Sequence, residues 1–313
     1  MSNKVPMRDG YGKALLAMCE KGENIMVLDA DVAKSTRTVW VRDRYPERFL
    51  DMGISEQDMV GTAAGLALSG MTPFVSTYCV FLAGRAWDQI RTTVCYNNLN
   101  VKLAGAHAGI SVGPDGATHQ SLEDVALMRV LPNMTVIVPC DAEETRKATL
   151  AIAKKKGPCF IRFGREAVPV VTEEETPFEI GKARLCREGS DVTIFANGAM
   201  VYEAMQAAEK LAGDGISVRV FDLHTVKPLD EEAILTAAKE TGCIITAEEH
   251  QVNGGMGSAV AELLAKHCPT PMEMVAVQDS FGESGQPQEL MDKYGLNRQA
   301  IEEKVKAAMA RKS

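Results

Sequence analysis

No CxxC pair occurs among the eight cysteines of this chain, which removes the commonest sequence signature of a zinc or dithiol site. Most of the eight sit in apolar stretches, as buried free thiols do, so a cytoplasmic protein is expected. There is no excess of basic charge either. Lys and Arg number 34 against 42 Asp and Glu, for a net charge of −8 and a pI near 5.3. That balance argues against a nucleic-acid-binding protein, which would carry a basic face. No apolar run approaches the ~18 residues of a membrane span, and the first residues lack the basic-apolar-small pattern of a secretory leader. Internal repeats and low-complexity segments are absent. What is present is ordinary globular material: 313 residues, 46% hydrophobic and 24% charged, enough for roughly two domains with normal cores.

The chain is organised around GISEQDMVGTAAGLALSG, Gly53 to Gly70. Ser55 followed three residues on by Asp58 predicts a capping box with Ser55 as N-cap, and Gly70 is suited to a left-handed C-terminal cap. Glu56 then occupies the first helical position, where the helix dipole favours a carboxylate. Gly61, Ala63, Ala64, Gly65 and Ala67 leave the helix body almost bare, so another backbone is expected to approach it closely.

Around this stretch, helix-length segments alternate with short apolar strands. Asp9 is expected to cap a helix that closes at Gly22. Strands are expected at Ile25 to Asp31, Thr72 to Tyr78, Val101 to Ala106, Met134 to Pro139 and Cys159 to Phe163, with helices over Phe81 to Tyr96, Ser121 to Val130 and Ala142 to Lys155. This alternation predicts an α/β protein whose parallel sheet is covered on both faces. The proline- and acid-rich stretch 166–183 reads as a linker ending in an edge hairpin. A second alternation over 184–313 predicts a smaller α/β domain, so the organisation is 1–165, linker 166–183, and 184–313. Ligands of such sheets collect at the carboxyl ends of strands, which directs attention to the loops 29–36, 52–58, 76–81 and 107–120.

The last of these is the richest. AGAHAGISVGPDGATHQSLED, Ala104 to Asp124, holds two of the five histidines, His107 and His119, with Asp115 and four glycines. Long loops inside compact domains are usually functional, and a histidine can donate a hydrogen bond or shuttle a proton at neutral pH. The His-x₁₁-His spacing fits no common zinc pattern.

HAGISVGPDGATHQSLED, together with GISEQDMVGTAAGLALSG and PFVSTYCVFLAGRAWDQIR, resembles the pyrimidine-binding domain of transketolase. The likeness continues through LPNMTVIVPCDAEET to the EEH–NGGMGSAVAELL stretch, and so covers essentially the whole chain. It implies a thiamine-diphosphate enzyme that transfers a two-carbon ketol unit between sugar phosphates, serving the pentose phosphate pathway or a more specialised one. Glu56 matches the glutamate that hydrogen-bonds the aminopyrimidine ring, and Tyr78 and Phe81 match an aromatic pair stacked on it. Asp31 stands where the family has a carboxylate near the cofactor. Asp115 matches the residue that binds a ketose hydroxyl, and His119 the histidine beside the cofactor amine. Arg8, Ser35, His107 and Arg162 match a phosphate-binding set, with Arg165 competing for the role of Arg162. Arg85 is a further candidate, because deoxyxylulose phosphate synthase has an arginine in a similar block.

The family's diphosphate domain, with its Gly-Asp-Gly…Asn metal motif, has no counterpart here. The triplet Gly213–Gly215 falls between a predicted helix and strand, with no Asn before Asn253, and reads as a turn. The resemblance therefore implies the C-terminal subunit of a split transketolase. The Mg2+ ligands are expected on an N-terminal partner subunit, and two copies of this chain are expected to join two partners in a heterotetramer. Competing readings are a deoxyxylulose phosphate synthase-like or 2-oxo acid dehydrogenase beta-like subunit, or a catalytically silent homologue.

Overall fold

The computed structural model describes residues 3–312. Its larger sheet has seven strands in the order Thr225–Lys227, Thr135–Ile137, Cys159–Phe163, Lys102–Ala106, Thr72–Tyr78, Ile25–Asp29 and Phe49–Asp51. The pairs are parallel except at Thr225–Lys227, which runs antiparallel to Thr135–Ile137. Strands such as Lys102–Ala106 and Cys159–Phe163 are buried along their whole length, as expected where helices cover both faces. A second sheet has the order Met272–Val277, Ile244–Gln251, Val192–Ala196, Val218–Asp222 and Arg184–Arg187, the last antiparallel. The α/β class and the two mainly parallel sheets thus follow the expected alternation.

Thr225–Lys227 crosses back from the second half to become an edge strand of the first sheet. One hydrophobic core also spans both halves, joining Leu28, Met59 and Val138 to Phe195, Leu223, Val226 and Met256. Each such buried side chain contributes on the order of 1.5–3 kcal/mol, which ties the halves together. The 166–183 stretch forms no hairpin. Its Ala167–Pro169 pairs antiparallel with Lys4–Pro6 as a separate two-stranded sheet.

Local details depart from expectation in three places. The first helix is Met7–Glu20 and follows Pro6, so Asp9 lies in its first turn and pairs with Arg37 at 2.6 Å instead of capping. The helix Glu56–Leu68 begins as expected, but the Ser55 side chain makes no capping bond. Its C-terminus is a Schellman motif: Gly70 at φ 88° donates to Ala67 O and Met71 to Leu66 O. The segment expected as one helix over 81–96 is split into Cys79–Arg85, Trp87–Gln89 and a π-helical turn, Ile90–Cys95. The Gly213–Gly215 triplet is a helix-ending turn, with Gly215 at φ 81°. Among the described residues no helix is long and apolar enough to cross a membrane, and all eight cysteines are free.

Candidate active site at the carboxyl ends of the larger sheet

Glu56 is only 3% exposed although it opens a helix. Its carboxylate accepts from Arg85 Nη1 at 3.3 and 3.2 Å. The same guanidinium, half-exposed, lies 4.0 Å from the Phe81 ring centroid. A planar cation therefore sits on an aromatic face while bonding a buried carboxylate. The bare side of the Glu56–Leu68 helix is open: a Cβ at Gly61 or Gly65 would meet no atom of the described residues within 4 Å. The opposite side, with Met59, Val60, Ala63 and Ala64, is buried in this chain's own core.

The strand Thr72–Tyr78 delivers Tyr78 to its carboxyl end, with Phe81 in the helix that follows. Tyr78 lies 4.5 Å from the His107 ring and 6.1 Å from His119, and Phe81 lies 5.2 Å from His119. The hydroxyls of Tyr78 and Ser35 share a hydrogen bond of 3.1 Å, and Arg8 donates to Ser35 O at 3.3 Å. The structure thus gathers Arg8, Ser35, Tyr78, Phe81, His107 and His119 into one contact group at the strand ends, with Glu56 joined to it through Arg85. Ser35 owes its position to Asp29, whose buried carboxylate accepts from Val32 N, Thr36 Oγ1 and Thr38 Oγ1 at 2.7 to 2.8 Å. Burial pushes the Asp29 carboxyl up to about 6. Asp31, two residues on, is exposed at φ 61° and makes no side-chain hydrogen bond among the described residues.

Arg162 requires a correction. Its buried guanidinium donates to Asp124 Oδ2 at 2.7 Å, to Ser121 O at 3.2 Å and to Glu249 O at 2.6 Å. With Nε and Nη2 committed to these three partners, Arg162 keeps fewer donors for an anion than the family match implies. Arg165 takes the exposed place: it donates to Val112 O at 2.9 Å and lies 3.4 Å from Asp115 Oδ1. Arg8, half-buried and with Nε unpartnered, feels both Arg37 and Arg165.

His107 shows the consequence. It holds φ 56°, is buried, and leaves Nδ1 without a partner. Burial first, then Arg8, Arg165 and Arg37, lower its imidazole to about 3, so it is neutral at physiological pH. As pH falls below the ordinary 6.5, the unfolded chain takes up a proton that the folded one refuses. Stability should therefore decline by about 1.4 kcal/mol per pH unit from this residue alone. Asn tolerates the left-handed conformation, so His107→Asn should fold and lose that dependence. Urea midpoints at pH 7 and pH 5 should show the variant gaining about 2 kcal/mol on the wild type over this interval; parallel pH curves would contradict the buried neutral state.

Among the described residues one group could by geometry hold a metal: Cys140, Glu144 and Asp222, with ligand atoms within 4.8 Å of one another. It lies at the seam between the sheets, and Arg184 already sits in it, 2.9 Å from Asp222 Oδ2 and 3.7 Å from Cys140 Sγ. Sequence reasoning missed this cluster, Arg37 and the second-domain residues behind the loop, because their partners are distant in the chain.

Comparison with known proteins assigns the two halves of the chain. Residues 3–171 match the family model for the transketolase pyrimidine-binding domain, and residues 181–301 that for the transketolase C-terminal domain. A putative transketolase C-terminal section from Methanocaldococcus jannaschii is 43% identical, over 97% of this chain and 96% of its own length. A 6-deoxy-6-sulfo-D-fructose transketolase subunit from a Clostridium species is 44% identical, over 94% and 92%. A solved structure described as a split-gene transketolase, inactive beta4 tetramer, superposes with a TM-score of 0.93 at 48% identity, covering 99% of this chain and 100% of that one. Together with the site's architecture, these matches establish that the chain belongs to the transketolase family, of which it comprises the pyrimidine-binding and C-terminal domains.

Proposed function

We propose that this chain is the C-terminal subunit of a split transketolase, moving a two-carbon ketol unit from a ketose phosphate to an aldose phosphate in the cytoplasm. The observation that carries the reading is the convergence of a buried carboxylate, an aromatic pair, two histidines and an arginine group at the carboxyl end of one strand. The pyrimidine end of thiamine diphosphate fits what is there. The Arg85 guanidinium on Phe81 and Glu56 stands in for a flat, nitrogen-bearing ring in the same two contacts. Glu56 would bond that ring, and Tyr78 and Phe81 would flank it. When bound, the cofactor supplies the carbon nucleophile and the electron sink.

The chain's own residues then divide the remaining work. Glu56 holds a proton at its carboxyl against the ring nitrogen. His119 and the neutral His107 are hydrogen-bonding groups for sugar hydroxyls and carbonyl oxygen, and Asp115 accepts from a hydroxyl. Arg8 and Arg165 provide charge-assisted donors for a phosphate. No Gly-Asp-Gly…Asn pair is available in these residues for the diphosphate, so Mg2+ and its ligands are assigned to a partner subunit, in a heterotetramer with two copies of this chain. The relatives that are themselves subunits or sections support this division of labour.

Substrate charge offers the test. In the assembled enzyme, Arg8→Ala and Arg165→Ala should each raise the KM for phosphorylated acceptors by about 10- to 150-fold, matching ~1.5–3 kcal/mol per charge-assisted bond. The KM for unphosphorylated acceptors should hardly move. Equal effects on both acceptor classes would remove these arginines from the anion site.

A further inference from the structure

Resting on the ketol-transfer reading for its catalytic part, we propose that Glu249 of the second domain is a positioning residue that anchors the loop presenting His107, Asp115 and His119. Glu249 lies near the end of the strand Ile244–Gln251 and is 5% exposed. Its Oε1 accepts from Ser111 N at 2.7 Å, a backbone group in the middle of that loop. Gly109, at φ 88°, passes so close that a Cβ there would lie 2.2 Å from the same oxygen. The glycine is required by the approach as much as by its dihedral.

Other contacts fix the same segment from the same side. Gln251 N donates to Leu122 O at 2.7 Å. Gln120 Nε2 donates to Ile110 O at 3.0 Å and across to Glu283 O at 2.9 Å. Arg162, the arginine withdrawn from the anion site, bonds the Glu249 carbonyl and the loop carbonyl of Ser121 together. The loop is thus held against the second domain on its rear face while its histidines face Tyr78 and Phe81 in front. Behind the anchor is a cleft of about 220 Å³ lined by Ser111, Arg162, Gly164 and Glu203 along with Glu249, so no close-packed side chain replaces the carboxylate once it is gone. The second domain acquires a task in the chemistry: without touching a reacting atom, it sets where the substrate-facing groups stand.

Three variants separate this from a general structural role. Glu249→Ala removes the acceptor, Glu249→Asp withdraws it by one methylene while keeping charge beside Arg162, and Glu249→Gln keeps an oxygen where Ser111 N needs it. Backbone amide exchange over 109–120 should quicken at least ~10-fold in the Ala and Asp variants and stay near wild type in Gln. In the assembled enzyme the Ala variant should lose ~10²-fold in kcat, the scale of a ~1 Å misplacement. Hydrogen exchange at the cofactor's thiazolium carbon, which depends on Glu56, should stay within about 2-fold. Unchanged loop exchange in both Ala and Asp overturns the proposal whatever the activity, as does a Gln variant no better than Ala. A wild-type assembly that shows no ketol transfer, with the loop still loosened in Ala and Asp, contradicts the functional reading and leaves the anchor supported.

Discussion

Glu56→Gln should fold and keep most cofactor affinity, yet slow hydrogen–deuterium exchange at the thiazolium carbon of thiamine diphosphate by at least ~10²-fold, a usual contribution for a positioned acid–base group. The substitution is nearly isosteric, and the residue sits 3% exposed at a helix start, so the backbone has no reason to move. What changes is the proton: an amide cannot hand one to a ring nitrogen or take it back. The contact with Arg85 weakens as well, because the guanidinium then meets a neutral amide oxygen instead of a carboxylate. That arginine is half-exposed, so screening by solvent keeps the stability cost small. Exchange at the wild-type rate would remove Glu56 from the acid–base role.

The parallel strands were legible because a sheet buried on both faces must be written as short apolar runs, and IMVLD, FVSTY and CFIRF are such runs. Phe49–Asp51 and Thr225–Lys227 were not legible, since three residues cannot display a period and pairing partners lie far along the chain. The site divides in the same way. Glu56, Tyr78, His107 and His119 are marked by strand ends, a helix start and a glycine-rich loop, all local signals.

Arg162 and Arg165 could not be told apart locally. The strand Cys159–Phe163 is buried throughout, so alternation gives no facing, and the deciding contact is an aspartate 38 residues away. Ser55 followed by Asp58 is a sound helix-start pattern, and the helix does start there; the backbone of Ser55 takes up the first helical bond while its hydroxyl makes none. The task of Glu249 is invisible in sequence for the same reason as the Arg162 ion pair: its partner Ser111 is 138 residues distant.

These 313 residues alone should show no transketolase turnover. Thiamine diphosphate has two ends to hold, and only the pyrimidine end has candidates here. The diphosphate end calls for a divalent cation with octahedral oxygen ligands. The one metal-like cluster among the described residues already encloses Arg184. Most of the affinity for a dianionic diphosphate comes through its metal, so half a site should bind weakly. The direct measurement is turnover of donor and acceptor sugar phosphates with thiamine diphosphate and Mg2+, by the purified chain, by a candidate Gly-Asp-Gly…Asn partner chain, and by their mixture. Activity in the mixture alone, saturating near one partner per chain, is the predicted result; full turnover by this chain alone would contradict the account.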